Sequence, residues 1–198
     1  MKEVLGINNL LIVGAGGHGK CCLDIALAMK KFDKIAFLDD HLSKPVHDHL
    51  VIGTISKMDM FYPEYQNIFI AVGNHKIRKM LLEKAKAIGF RLINLISPSS
   101  FISDYAKLDI GIAVFPHAVI NASACIGTGC IISSNAVIDH DAKVEQYCHI
   151  NALAVVPSMA CVKAYTKVDY GQVYINKEEN EDWKKEYEKQ FGSEPSFF

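Results

Sequence analysis

Asp139-His140-Asp141 is the stretch whose residue types best fit chemistry. An imidazole titrates near pH 6.5, and a carboxylate on one ring nitrogen fixes which nitrogen carries the proton. Such a pair can take a proton from an amine or a hydroxyl near neutral pH. His149 follows shortly after, and His117 precedes it at a similar position of an earlier turn. A second constellation is Gly14-Ala15-Gly16-Gly17-His18-Gly19-Lys20, at the end of the apolar run Leu10–Val13. Its glycines let the backbone approach a phosphate, and a helix starting there offers free N–H groups to the anion. Asp39 and Asp40 end the next apolar run, where dinucleotide-binding folds place a ribose-binding acid. His47 and His49 alternate in a loop without a third ligand, and the cysteines show neither a CxxC nor a Cys/His spacing, so no metal is predicted. Cys130 and Cys148 read as small apolar fillers.

The element that must position His140 is a repeat of six. Ile102, Leu108, Val114, Ile120, Ile126, Ile132, Ile138, Val144, Ile150, Val156, Val162 and Val168 are all aliphatic, and the position four after each is small almost throughout. Neither a helix, with its period of 3.6, nor a single strand, with its period of 2, produces a strict six. A parallel β-helix does: each coil has three short strands, one inward aliphatic per side, and a small residue where the chain turns. About four coils spaced by roughly 4.8 Å give a prism ~19 Å tall. Asp139-His140-Asp141 falls at a corner of that prism, so His140 is expected to point outward.

The element that must position the glycine turn is a strand–helix–strand unit. Leu10–Val13 is the first strand, the helix runs from Cys21 to about Lys31, and Ile35–Leu38 is the second strand. Ile68–Val72 is a further strand, ending at Gly73-Asn74. A helix over His75–Gly89 follows, with Ile77, Met80, Leu81, Ala85 and Ile88 on its apolar face. Arg91–Ile96 is the next strand. The prediction is thus an α/β chain in three parts: a Rossmann-like parallel sheet over 1–98, a β-helix over 99–175, and a charged tail over 176–198. In the tail, Trp183, Tyr187 and Phe191 form one stripe of a helix over Lys177–Gln190 that caps the prism or packs on a neighbouring subunit.

A net charge of −1, with no Lys/Arg cluster, excludes a nucleic-acid footprint. No apolar run approaches the ~18 residues of a membrane span, and Leu10–Val13 is too short for a signal-peptide core. The reading is a cytoplasmic protein without a membrane partner.

Gly14–Lys20, Phe37-Leu38-Asp39-Asp40, Ala71-Val72-Gly73-Asn74 with Ile77-Arg78-Lys79, Asn94-Leu95-Ile96 and Val137-Ile138-Asp139-His140-Asp141 together resemble one family. It is the hexapeptide-repeat sugar acetyltransferases, which include the sialic acid O-acetyltransferases and the bacillosamine-pathway UDP-4-amino-sugar N-acetyltransferases. The resemblance implies a left-handed β-helix, a homotrimer, and acetyl-CoA as co-substrate. It also implies His140 as general base with Asp141 as its orienting acid. His149, with Asn151 and Ala154, is implied on the acetyl-CoA side. Gly14, Gly16, Gly17, His18, Gly19, Asp39 and Asp40 are implied around a nucleotide-linked or sialic-acid-like sugar, with Gly73 and Asn74 beside its phosphates. Two other readings stay open: a non-catalytic homologue that only binds a nucleotide sugar, and an NAD-dependent oxidoreductase built on Gly14–Gly19 and Asp39.

Overall fold

The computed structural model describes residues 8–175 and, beyond them, residues 189 and 192. Apart from Lys189, the helix expected over 177–190 lies outside the described residues. Among those described, no helix is long and apolar enough to cross a membrane.

Five parallel strands form the N-terminal sheet: β1 (Leu10–Val13), β2 (Ile35–Leu38), β3 (Val51–Gly53), β4 (Asn67–Ile70) and β5 (Arg91–Leu92), in the order β3-β2-β1-β4-β5. The order reverses at β1, which pairs with β2 on one side and β4 on the other. Crevices at such a switch, outside the carboxyl ends of the strands, are where open parallel sheets hold ligands. The three longest strands are buried on both faces, as two covering layers require. Leu10, Ile12, Phe37 and Phe69 face helix α1 (Gly17–Met29), while Leu11, Val13, Ile68 and Ile70 face helix α2 (His75–Ile88).

The expected apolar face of α2 is rotated. Arg78, Leu81, Leu82 and Ala85 are buried, whereas Ile77 and Met80 are exposed. Arg78 draws the helix round, because its guanidinium finds backbone acceptors inside. The strand expected over Arg91–Ile96 is split as well. Arg91–Leu92 closes the sheet, but Leu95–Ile96 already pairs with Ala113–Val114 in the prism. A short 3₁₀ helix over Ile55–Phe61 has no counterpart in the sequence reading.

From Leu95 the chain winds as a left-handed parallel β-helix of two-residue strands on three faces. The first face carries residues 101–102, 119–120, 137–138 and 155–156. The second carries 107–108, 125–126, 143–144 and 161–162. The third carries 95–96, 113–114, 131–132, 149–150 and 167–168. The inward aliphatics from Val114 to Val168 are at most 3% exposed and form one core with the small residues between them. The small residues have a backbone cause. His117, Ser123, Asn135, Asp141, Tyr147, Leu153, Met159 and Tyr165 have positive φ, and each directly precedes an inward corner position. A left-handed residue costs about 1–2 kcal/mol, and ladder hydrogen bonds on both sides offset it.

The sheet domain sits on the third face. The outward residues of its lower coils, Leu95, Ala113 and Ile131, are fully covered, while His149 and Lys167 emerge above.

Candidate active site

The Gly14–Gly19 turn is built as a cradle. Gly14 has φ +102°, and a Cβ there would meet the carbonyl oxygen of Ala71 at 2.7 Å. The turn therefore lies against the end of β4, beside Gly73. A Cβ on Gly19 would meet the oxygen of Gly14 at 2.0 Å, so α1 can start this close to its strand only with glycine there. Gly16 and Gly17 would meet nothing within 4 Å and are exposed. Among the described residues no side chain caps the helix, and its first turn holds no acid, so its leading N–H groups are open to an anion.

Asp39 is committed to this turn. Its Oδ2 accepts from Ala15 N at 2.8 Å, and its Oδ1 accepts from His41 N and Leu42 N at 2.8 Å. Burial alone would raise its pKa, but the three backbone donors hold the carboxyl below the usual value. Its first role is thus to tie the glycine turn to the end of β2. Asp40 accepts from Ile55 N at 2.8 Å. Asp39, Asp40, Leu42, Gly53 and Thr54 line a small open cavity of about 200 Å³ beside the turn.

His18 stacks on Phe115 of the prism, with centroids 5.6 Å apart. Burial, then His149, then Arg78 lower its pKa to about 4. His149, on the third face, lies 3.2 Å from Ser133 Oγ through Nε2. Burial, then Arg78 and Lys167, lower its pKa to about 4 too. Both imidazoles are neutral at pH 7. The Asn74 side chain accepts from Lys76 N and Ile77 N and so caps α2.

His140 stands elsewhere. It lies at the corner between the first and second faces, away from the face that carries the sheet domain. Its Nδ1 is 2.7 Å from Asp141 Oδ2, and both side chains are more than half exposed. With Nδ1–H donating to the carboxylate, Nε2 carries the lone pair and points outward. The Asp141 hydrogen bond raises the pKa of His140. Asp139 plays a different part: its Oδ1 accepts from His140 N at 2.8 Å and from Asn121 Nδ2, one coil below, at 3.0 Å. One carboxylate pins the backbone and the other aligns the ring.

The sequence profile of the PglD N-terminal domain matches residues 9–85. The acetyltransferase domain of PglB from Neisseria gonorrhoeae FA1090, solved with acetyl coenzyme A, is 33% identical. Its TM-score is 0.74 over 85% of this chain and 88% of that one. The chain belongs to the hexapeptide-repeat sugar acetyltransferases. A variant of the perosamine N-acetyltransferase from Caulobacter crescentus, solved with CoA and GDP-perosamine, is 28% identical. Its TM-score is 0.78 over 86% of this chain and 90% of that one. The oxidoreductase reading has no such support and is set aside.

Within one chain of this acetyltransferase, the glycine turn, His18, Asp39, Gly73 and His149 come together, while His140 and Asp141 do not join them. Two expected donor-side residues need correction. Ala154 is fully buried in the prism core, and the Asn151 side chain is buried with Nδ2 donating to Val168 O at 2.7 Å. Ala154 holds an inward place of the repeat, and Asn151, one residue past inward Ile150, turns its amide back onto the next coil. The residue that sequence reading missed is Arg78, seen there only as part of a motif. A cation one residue after an apolar position of an amphipathic helix ordinarily reads as solvated.

Proposed function

We propose that the protein transfers the acetyl group of acetyl-CoA to the amine of a nucleotide-linked sugar, with His140 as general base, in a homotrimer. The observation that carries this reading is the exposed His140–Asp141 pair, whose Nδ1 contact leaves Nε2 as the basic nitrogen, on a scaffold shared with acetyltransferases. The glycine turn and its small side cavity supply the nucleotide-sugar end. His149, with Ser133 Oγ at 3.2 Å, lies beside this end through its neighbours His18 and Arg78. The perosamine enzyme was solved with a nucleotide-linked amino sugar, in support of the same acceptor class.

In the reaction, His140 Nε2 accepts a proton from the acceptor amine as its nitrogen attacks the thioester carbonyl and the C–N bond forms. The tetrahedral intermediate then collapses, the C–S bond breaks, and the imidazolium returns the proton to the departing sulfur. Asp141 holds the ring and stabilises its charged form. Since His140 sits away from the glycine turn of its own chain, a second copy brings the base to the acceptor.

The test is a thiol-release assay with acetyl-CoA and a panel of UDP-, GDP- and CMP-linked sugars. Turnover with an amino-sugar nucleotide is the expected result. Tight nucleotide-sugar binding without turnover on any acceptor would favour the non-catalytic homologue.

A further inference from the structure

Arg78 is 1% exposed, and its hydrogen bonds all go to backbone carbonyls. Nη1 donates to Val72 O at 2.9 Å and Gly73 O at 2.7 Å, Nε to Gly129 O at 2.7 Å, and Nη2 to Tyr147 O at 3.0 Å. Val72 and Gly73 form the turn after β4. Gly129 and Tyr147 stand at the same prism corner on successive coils, and Tyr147 leads directly into the strand of His149. Gly129 has φ +66°, and a Cβ there would meet the Tyr147 ring and Leu82 below 3.0 Å. The corner is thereby kept open for the guanidinium. A buried cation without a carboxylate is costly, and only a planar fork matches three separate backbone segments at once.

We propose that Arg78 is a positioning residue of the acceptor site. Its guanidinium locks the Gly73 turn onto the coil that carries His149, and it gives that seam a fixed positive charge for the diphosphate of the nucleotide-linked sugar. This rests on the acceptor proposed above. The groups that face His149 are Arg78 from α2, Lys167 from the next coil, His18 from α1 and Ser133 from the coil below. None is anionic. The two histidines thus stay neutral and meet the diphosphate as hydrogen-bonding groups, while Arg78 carries the charge; Lys167 is paired with Asp169 at 3.4 Å.

Two substitutions separate clamp from charge. Arg78→Lys keeps the charge and loses the fork; Arg78→Met loses both. Each is compared with the wild type by thermal melting, by KM for nucleotide sugar and for acetyl-CoA, and by NMR titration of His149 without substrate. Both variants are expected to raise the acceptor KM by roughly tenfold or more and to leave the acetyl-CoA KM within about twofold. His149 should titrate near its wild-type value in Arg78→Lys and move toward the ordinary histidine value in Arg78→Met. A folded Arg78→Lys with the wild-type acceptor KM, or with equal losses for both substrates, overturns the proposal. So does an unmoved His149 titration in Arg78→Met. Should neither variant fold, the wild-type Arg78 Nε–H resonance decides: it shifts with saturating UDP or GDP and not with CoA. No shift, or an equal shift with CoA, overturns the clamp. The titration needs no substrate, so a wild type that refuses every nucleotide sugar removes the acceptor reading without deciding the charge.

Discussion

His140 and Asp141 sit next to each other in the chain, yet their backbones differ in a way that matters. Asp141 has φ 58°, a left-handed position that Asp and Asn tolerate better than most residues, and this turns its carboxylate beside the ring. Asp141→Asn therefore keeps the corner and removes only the charge. His140→Ala should stay folded, because the side chain is exposed, and kcat should fall by roughly 10² to 10⁴. In Asp141→Asn the fall should be smaller, and the pH profile should also move. Asp141 raises the pKa of His140, so the wild-type acid limb lies at or above the ordinary histidine value. Losing the carboxylate lowers that pKa and shifts the limb to lower pH. A kcat/KM profile measured by thiol release decides this, and a limb that stays put removes Asp141 from the base. The pair was legible in the sequence because corner residues face outward and the hexad places the corner. The split of labour between Asp139 and Asp141 was not, because it depends on Asn121 one coil away. His18 and His149 carry a further consequence. In the unfolded chain each takes up a proton below about pH 6.5, but in the fold only near pH 4. The unfolded state then binds more protons across that window, so stability falls as pH drops from 6.5 to 4. The melting temperature should fall on acidification, and His149→Gln should flatten that fall. An unchanged slope would mean His149 is not held neutral.

At the scale of elements, the two glycines of one turn should behave oppositely. Gly19→Ala puts a Cβ 2.0 Å from the Gly14 oxygen, a clash with backbone that cannot swing away. A cost of about 1–3 kcal/mol is expected, as for an overpacked core. Gly16 has φ −72° and open space, so Gly16→Ala should melt like the wild type. It stands at the N-cap of α1 on the exposed side of the turn, so nucleotide-sugar binding should weaken nonetheless. Thermal melting with calorimetric titration separates the two, and a Gly16→Ala protein with undiminished affinity would place the phosphates elsewhere. The strand–turn–helix unit and the prism were legible because their periods differ so clearly. The rotated face of α2 was not. Ile77 and Met80 read as apolar while Arg78 read as polar, and only the carbonyls of Gly129 and Tyr147, far along the chain, reverse the choice. The break at Ile93 and Asn94 was hidden for a similar reason. Leu95–Ile96 continues an apolar run, but Asn94 turns it by donating to Asp109 O and accepting from Ile112 N, which binds it to the first coil.

At the scale of the molecule, one chain holds the two halves of the proposed site in different places. The acceptor cradle and His149 lie on the third face of the prism and its covering domain, while His140 lies at the corner between the other two faces. No rotamer brings them together, since the prism between them is a packed core with rigid coils. The proposed cyclic homo-oligomer would resolve this, because a heterologous contact repeated around an axis would let each corner meet the next subunit's cradle. The apolar Tyr105 and Met159, 76% and 70% exposed at the same corner as Asp141, are what such a contact would cover. The prediction is intersubunit complementation. A His140→Ala protein lacks the base and keeps the cradle; a Gly73→Asp protein has an anion in the phosphate turn and keeps the base. Each should be inactive alone. Co-expressed in equal amounts in a random trimer, a site works when its base comes from the second variant and its cradle from the first, so about a quarter of wild-type activity should return. Sedimentation equilibrium gives the oligomer, and thiol release gives the recovered rate. Mixed oligomers that form but stay inactive would mean that base and cradle serve one another within a single chain, against the arrangement of the three faces.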